Sequence, residues 1–154
     1  MQCVVRVAPT DAGVSEARVA LLEWLHPLAL TGSQRFALEF STHEALVNAL
    51  VHGIREGGGS SITLTVHADD ERVRIAVKDD GVGFRWALPG LAAESPADEG
   101  SGSTGLGYEL MRRLMTRVWF TTFQNGIIME LHRGRNRRCS SPAPVYPILS
   151  APSA

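Results

Sequence analysis

Apolar and polar residues alternate along three stretches, at residues 2–7, 62–67 and 73–78, and this period of two predicts β-strands. Only a short polar stretch separates the second from the third, so the two predict a hairpin with one buried face. Residues 118–132 predict a second hairpin that turns at Asn125-Gly126, a dipeptide typical of tight β-turns. The pattern therefore predicts a mainly antiparallel sheet of about five strands.

Apolar residues recur at helical spacing over residues 14–30, 36–56 and 105–116. Ser33 is the predicted N-cap of the second helix, which the glycines at 57–59 end, and Thr104 is the predicted N-cap of the third. Residues 86–103 show neither period, which is typical of a functional loop or a disordered segment. The order of elements predicts an α+β fold, a two-layer sandwich with three helices over the sheet.

Length and composition are those of one domain with no marked charge. The 154 residues carry 15 basic and 16 acidic side chains, which gives no electrostatic signature of nucleic-acid or membrane binding. The two cysteines lie at opposite ends of the chain, and no apolar run is long enough to span a bilayer, so we expect a cytoplasmic protein. We expect the domain to occupy residues 1–132. Residues 133–154, basic and then rich in Pro and Ser, form a predicted mobile tail.

The second predicted helix places Glu44, Asn48 and His52 on one face, four residues apart. Burying such groups without partners costs about 1–3 kcal/mol each, so we expect a polar ligand against this face. The alternative is a surface stripe on a helix that simply ends at His52-Gly53. Within the ligand hypothesis, Asn48 offers an oxygen to Mg²⁺, and Glu44 is placed to take a proton from a group attacking a phosphate.

Two glycine-containing segments suggest what the ligand is. Asp79 ends a predicted strand and can accept a hydrogen bond from an exocyclic amine, while Gly81 and Gly83 leave room for a flat ring beside the backbone. Gly105-Leu106-Gly107 opens the third helix, where free N–H groups attract phosphate oxygens. An ordinary turn and an ordinary glycine-rich loop are the alternatives. Residues 100–105 match G-x-G-x-x-G, but no strand enters them, which excludes a Rossmann site, and no P-loop motif is present.

Taken together, Glu44-Ala45-x-x-Asn48-Ala49-x-x-His52-Gly53, Asp79-x-Gly81-x-Gly83-Phe84 and Gly105-Leu106-Gly107 resemble the N, G1 and G2 boxes of GHKL ATPases. Within that superfamily, the short chain and its two N-terminal helices look most like the serine-kinase anti-sigma factors. The resemblance implies a Bergerat-type fold that binds ATP and Mg²⁺. It places Asn48 on the metal, Asp79 on the adenine amine, and Glu44 as the catalytic carboxylate. The remaining implied nucleotide contacts are His52, Gly81, Gly83, Thr104, Gly105, Leu106 and Gly107.

The same resemblance implies protein partners. These are a sigma factor sequestered by a dimer of this chain, and an anti-anti-sigma protein of the STAS type that is phosphorylated on a serine. Arg18 stands where the family presents an arginine to its partners, although a solvated helix charge is the alternative. No direct contact with nucleic acid or membrane is expected.

One departure from the family pattern divides the functional hypotheses. Family lids often carry a basic residue just before the G2 box, whereas here none lies between Arg85 and Arg112. A serine protein kinase is the first hypothesis, and a non-catalytic regulator whose ATP only selects a partner is the second. A detached ATP-binding domain of a sensor histidine kinase is less favoured, because the two N-terminal helices are already needed to cover the sheet.

Overall fold

The computed structural model describes residues 1–82, 106–121 and 125–134. Its elements in chain order are β1 (Gln2–Val7), α1 (Asp11–Leu25), α2 (Gly32–Asn48), a π-helical segment (Ala49–Glu56), β2 (Ile62–Ala68), β3 (Arg72–Asp79), α3 (Leu106–Leu114), β4 (Arg117–Phe120) and β5 (Gly126–His132). The predicted loop at 86–103, the Thr104 cap and the mobile tail lie outside the described residues, apart from the first residues after β5.

The five strands form one sheet in the order β1-β2-β3-β5-β4, and every neighbouring pair is antiparallel. Alternate side chains of β2, β3 and β5 point into the core, as the period of two requires. The three helices supply the other half of the core with Leu21, Leu25, Leu38, Leu46 and Met111 among their buried residues. The prediction of a two-layer sandwich with three helices over a five-stranded sheet is confirmed.

The turn predicted at Asn125-Gly126 is wrong in its detail. Gly126 lies within β5, opposite Lys78 of β3, and its carbonyl accepts the Thr121 N–H at 2.9 Å. The connection between β4 and β5 is therefore longer than the two-residue turn that Asn-Gly favours.

Both N-terminal helices begin earlier than predicted, each at a threonine cap. The Thr10 side chain accepts the Gly13 N–H at the start of α1. Thr31, and not Ser33, caps α2, because Thr31 and Gln34 form a reciprocal capping box. Ser33 is the second residue of the helix, where its hydroxyl lies 3.1 Å from that of Thr31.

The second helix ends before Gly57 as predicted, but its last eight residues are π-helical. The π-helical segment packs against β3, and α2 packs against both α1 and α3. The helical layer thus brings the end of α2, the end of β3 and the start of α3 together. None of the helices within the described ranges combines the length and apolar character needed to cross a membrane.

Candidate nucleotide-binding site

The end of β3 meets the π-helical segment at a glycine. A Cβ placed on Gly53 would lie 2.3 Å from Asp79 Cγ and within 2.6 Å of both carboxylate oxygens. No side chain larger than hydrogen fits there without moving Asp79. Gly53 thus allows the Asp79 carboxylate to pack directly on the helix backbone.

Asp79 is a buried carboxylate, with 7% of its surface exposed. Burial raises its pKa above the ordinary value, while the hydrogen bond from the Gly81 N–H, at 2.9 Å, opposes that rise. An acceptor held at the edge of the core in this way suits a neutral N–H donor better than a cation, because a neutral donor is cheaper to desolvate.

Gly81 is the second glycine required by close packing. A Cβ here would lie 2.2 Å from the Gly53 carbonyl oxygen, a backbone atom that cannot move aside without shifting the helix. The same carbonyl accepts the Gly59 N–H at 3.0 Å. The turn after β3, the π-helical segment and the glycine run therefore converge on the backbone of Gly53.

Asp80 fastens this turn to the start of β2. Its carboxylate accepts the N–H groups of Ser60 and Ser61 at 2.6 and 2.8 Å, and both serine hydroxyls at 2.8 and 3.0 Å. These backbone and side-chain hydrogen bonds hold the pKa of Asp80 well below its ordinary value. The sequence did not predict this role, since Asp80 occupies the unspecified position of Asp79-x-Gly81. The only indication was the Ser60-Ser61 pair before β2.

Glu44 and Asn48 lie one turn apart on α2, as predicted, and are half-buried. Within the described part of the chain, neither side chain forms a hydrogen bond or ion pair with another protein group. Across from α2, Gly107 of α3 makes room for Glu44, because a Cβ on Gly107 would lie 2.3 Å from Glu44 Oε2. The start of α3 therefore rests on the tip of the Glu44 side chain.

His52 is not the end of a helix, as the alternative interpretation held. It lies inside the π-helical segment, is 7% exposed, and places its Nδ1 2.5 Å from Glu56 Oε2. Leu106, by contrast, is 64% exposed at the first turn of α3. Gly83, Thr104 and Gly105 lie outside the described residues.

The predicted site residues thus fall into two groups joined by one continuous helix. Asp79 and Gly81 gather at Gly53, and Glu44 pairs with Gly107 about two turns earlier. A family model for the histidine kinase-like ATPase domain matches residues 7–131. The chain belongs to this family.

The relatives of this histidine kinase-like ATPase domain include anti-sigma F factors. Those of Bacillus licheniformis and Clostridium acetobutylicum are each 28% identical over 107 residues, which cover 68% of this chain and 71% and 72% of the relative. That of Bacillus subtilis strain 168 is 27% identical over the same share of this chain. The resemblance to GHKL ATPases of the anti-sigma type, inferred from the three boxes, is confirmed.

A solved structure shows the same fold. The crystal structure of the RsbU and RsbW domains of Rv1364c from Mycobacterium tuberculosis has a TM-score of 0.60 and 17% sequence identity over 86% of this chain. The chain spans 32% of the length of that structure.

Membership of the family implies that the chain binds ATP, and the residues described above fit that ligand. The close contacts of Gly53 and Gly81 leave the Asp79 carboxylate as an acceptor beside bare backbone, which suits the amine edge of a purine. Among the described residues, no three His, Cys, Asp or Glu are grouped to hold a metal ion. A single amide oxygen from Asn48 suits Mg²⁺, which keeps waters and phosphate oxygens as its other ligands.

Arg18, the predicted partner-binding residue, lies away from this site on α1. Its guanidinium donates hydrogen bonds to Glu39 of α2, one of them at 2.9 Å, and half of its side chain is exposed. Arg18 is therefore not a free solvated charge but half of an ion pair between the two N-terminal helices.

Proposed function

We propose that this chain is a Mg-ATP-dependent serine protein kinase and anti-sigma factor of a partner-switching system in the cytoplasm. Its substrate is a STAS-type anti-anti-sigma protein, and a dimer of the chain, formed by residues 1–132, sequesters a sigma factor. The Glu44 carboxylate, which has no hydrogen-bond or ion-pair partner among the described residues, carries the proposal, since a base and a metal ligand one turn apart are then set side by side on one rigid helix.

Each predicted site residue has a role in this proposal. Mg-ATP supplies the phosphoryl group. Asp79 accepts a hydrogen bond from the adenine amine and Asn48 offers its amide oxygen to Mg²⁺. Glu44 Oε2 takes the proton of the attacking serine hydroxyl. Gly107, which has no Cβ, leaves room for that oxygen in this position. His52, Gly81, Gly83, Thr104, Gly105 and Leu106 complete the proposed nucleotide contacts.

The surface around Arg18 supports a protein partner. Val19 beside it is 56% exposed, and on α2 Phe36 is also 56% exposed and stacks on Phe40 with ring centroids 5.9 Å apart. Large apolar side chains next to an accessible arginine are typical of protein interfaces. We therefore assign the α1–α2 face to the sigma factor or the STAS protein.

A second candidate is a non-catalytic regulator in which ATP only selects the partner. The absence of a basic residue between Arg85 and Arg112 favours it, because no cation from that stretch can stabilise charge on the transferred phosphate. Such a regulator needs Asn48 and Asp79 but has no use for the Glu44 carboxylate.

The Glu44→Gln variant separates the two candidates. Wild type, Glu44→Gln and the surface control Glu71→Gln, in the β2–β3 turn, are incubated with γ-labelled ATP and a cognate STAS protein, and ATP binding is titrated in parallel. The kinase proposal expects serine phosphate with wild type and Glu71→Gln, and a loss of about a hundredfold or more with Glu44→Gln at unchanged ATP affinity. ATP-dependent complex formation without serine phosphate in any sample would instead establish the regulator.

A further inference from the structure

On the sheet face turned away from the helices, three neighbouring rows of residues cross the strands, beside a fourth row that pairs Arg72 with His132. One row is uncharged and consists of Val4, Thr65, Ala76, Ile128 and Trp119. The first basic row, on one side of it, consists of Gln2, His67, Arg74, Glu130 and Arg117. The second basic row, on the other side, consists of Arg6, Thr63, Lys78 and Gly126.

The one acidic residue in these rows, Glu130, is buried and already hydrogen-bonded. Glu130 is 1% exposed, although its strand position faces outward. Two N–H groups of Arg74 donate to its Oε2 at 2.7 and 3.1 Å, and His132 Nε2 lies 3.2 Å from its Oε1. Glu130 therefore fixes the Arg74 guanidinium in place without presenting negative charge to a partner.

Trp119, in the uncharged row, contacts two cations of the first basic row. The guanidinium carbons of Arg74 and Arg117 lie 5.8 and 5.7 Å from the centre of its ring, within reach of cation–π attraction. Two arginines of the first basic row are thus held against the aromatic ring between them. Because these side chains are already ordered, they lose less conformational entropy when a partner docks on them.

The charges of this face are unlike those of the whole chain. Arg6, Arg74, Lys78 and Arg117 are all exposed, while no exposed acidic side chain of the described residues lies in the three rows. The full chain carries a net charge of −1. Four of its fifteen basic residues therefore lie on a face with an uncharged centre, and the complement of that face is apolar in the middle and acidic at both edges.

The spacing of the rows and the width of the sheet indicate what shape of partner fits this face. Neighbouring positions on one face of a strand are about 6.7 Å apart, so the two basic rows run about 13 Å from each other. An α-helix with its side chains is about 10–12 Å wide and fits between them. Five strands span about 19 Å, the length of about 13 helical residues.

We propose that this sheet face docks an amphipathic helix of a protein partner, with its apolar stripe on the uncharged row and Asp or Glu on both flanks against the basic rows. A second copy of the chain is disfavoured as occupant, because a two-fold pairing of this face would bring basic rows against basic rows. The proposed site lies on the opposite side of the sheet from the nucleotide site and does not depend on the proposed kinase activity.

The experiment uses two fluorescein-labelled helical peptides of 14 residues. Both carry the same leucine stripe, flanked by Glu in one and by Lys in the other. Each is titrated by fluorescence anisotropy with the full chain, without nucleotide, at 50 and 300 mM salt. The test variant is Lys78→Gln/Arg117→Gln, which removes one cation from each basic row and leaves the Glu130 hydrogen bonds intact. The control Arg112→Gln/Arg113→Gln makes the same charge change on α3.

We expect saturable binding of the Glu peptide, weakened about five- to tenfold by the test variant and by the higher salt, and unchanged by the control. The Lys peptide should not bind. Equal binding of both peptides, or no effect of the test variant, would overturn the proposal. So would preferential binding to phosphatidylglycerol vesicles or dimer formation lost in the test variant, since these name a membrane or a second copy as occupant. Repeating the titration with Glu44→Gln keeps this result separate from the proposed catalysis.

Discussion

Replacing Asp79 by Asn is expected to separate nucleotide recognition from folding. Asp79 is 7% exposed and accepts the Gly81 N–H through Oδ1, an interaction that the Asn amide oxygen can keep. What the variant loses is the negative charge, which burial disfavours in the folded state. We therefore expect Asp79→Asn to be at least as stable as wild type at pH 7.

The affinity of Asp79→Asn for nucleotide, unlike its stability, should decrease. If Asp79 accepts the adenine amine, the variant loses a hydrogen bond to a charged acceptor, worth about 1.5–3 kcal/mol. That loss corresponds to a Kd for Mg-ADP about 10- to 150-fold weaker. The change should be the same for Mg-ATP, because the contact is with the base and not with the phosphates.

The pH dependence gives an independent check on the sign. Because the pKa of Asp79 is raised in the folded state, folding favours its protonated form. Its contribution to stability is complete below the ordinary value of 3.8 and is lost as the pH rises through the folded pKa. The advantage of Asp79→Asn should therefore be greatest at neutral pH and vanish in acid.

Isothermal calorimetry with Mg-ADP measures the affinity, and urea unfolding at pH 7 and pH 3.5 measures the stability. Asp70→Asn, an exposed carboxylate in the β2–β3 turn, is the matched control and should change neither. An Asp79→Asn protein that binds Mg-ADP as tightly as wild type would refute the assignment of Asp79 to the adenine.

Three further predictions test the packing around the site and the sheet. Gly53→Ala should cost about 1–3 kcal/mol in urea unfolding, since its Cβ would lie 2.3 Å from Asp79, whereas Gly32→Ala, with no atom within 4 Å, should cost nothing. Gly107→Ala should leave the unfolding free energy within about 0.5 kcal/mol, because only the flexible tip of Glu44 must move, but it should slow the proposed phosphotransfer at least about tenfold in a single-turnover assay. Glu130→Gln should lose about 1–3 kcal/mol at pH 7, measured by urea unfolding.

The effect at Glu130 should depend on pH. Burial opposes its ionisation, but hydrogen bonds from Arg74 and His132 outweigh burial and lower its pKa. The stabilisation is therefore present above pH 4.5 and is lost as the pH falls through the lower folded pKa, so the stability difference between wild type and Glu130→Gln should shrink as the solution is acidified below pH 4.5. A stability difference that stays constant from pH 7 to pH 3 would contradict this reasoning. Equal stability of the Gly53→Ala and Gly32→Ala proteins would contradict the packing argument.

Local patterns were enough to predict the sheet and the polar face of α2. Alternation in β2 and β3 reports burial on one side, which is a property of neighbouring residues along the chain. Glu44 and Asn48 were found because helical spacing alone puts them together. The end of the helix at Gly57 was likewise visible, since glycines stop helices for local reasons.

What the sequence did not predict depends on contacts between distant segments. The Thr31 cap is the exception, because Thr31-x-x-Gln34 is a local capping-box pattern that the sequence itself carries. The roles of Gly53 and Asp80 come from partners 26 and 20 residues away, at Asp79 and Ser60. The ion pair of Arg18 with Glu39 likewise joins two helices, and no periodicity reports it.

The π-helical segment limits how this protein can be altered. Its wider turn sets the direction in which Gly53 faces, and each residue of an ordinary α-helix rotates the chain by about 100°. Deleting one residue between Ala49 and Glu56 would leave enough chain to form a regular helix. The backbone of Gly53 would then be rotated away from β3. Engineering this segment into a regular α-helix for thermostability should therefore give a more stable chain that no longer binds its nucleotide.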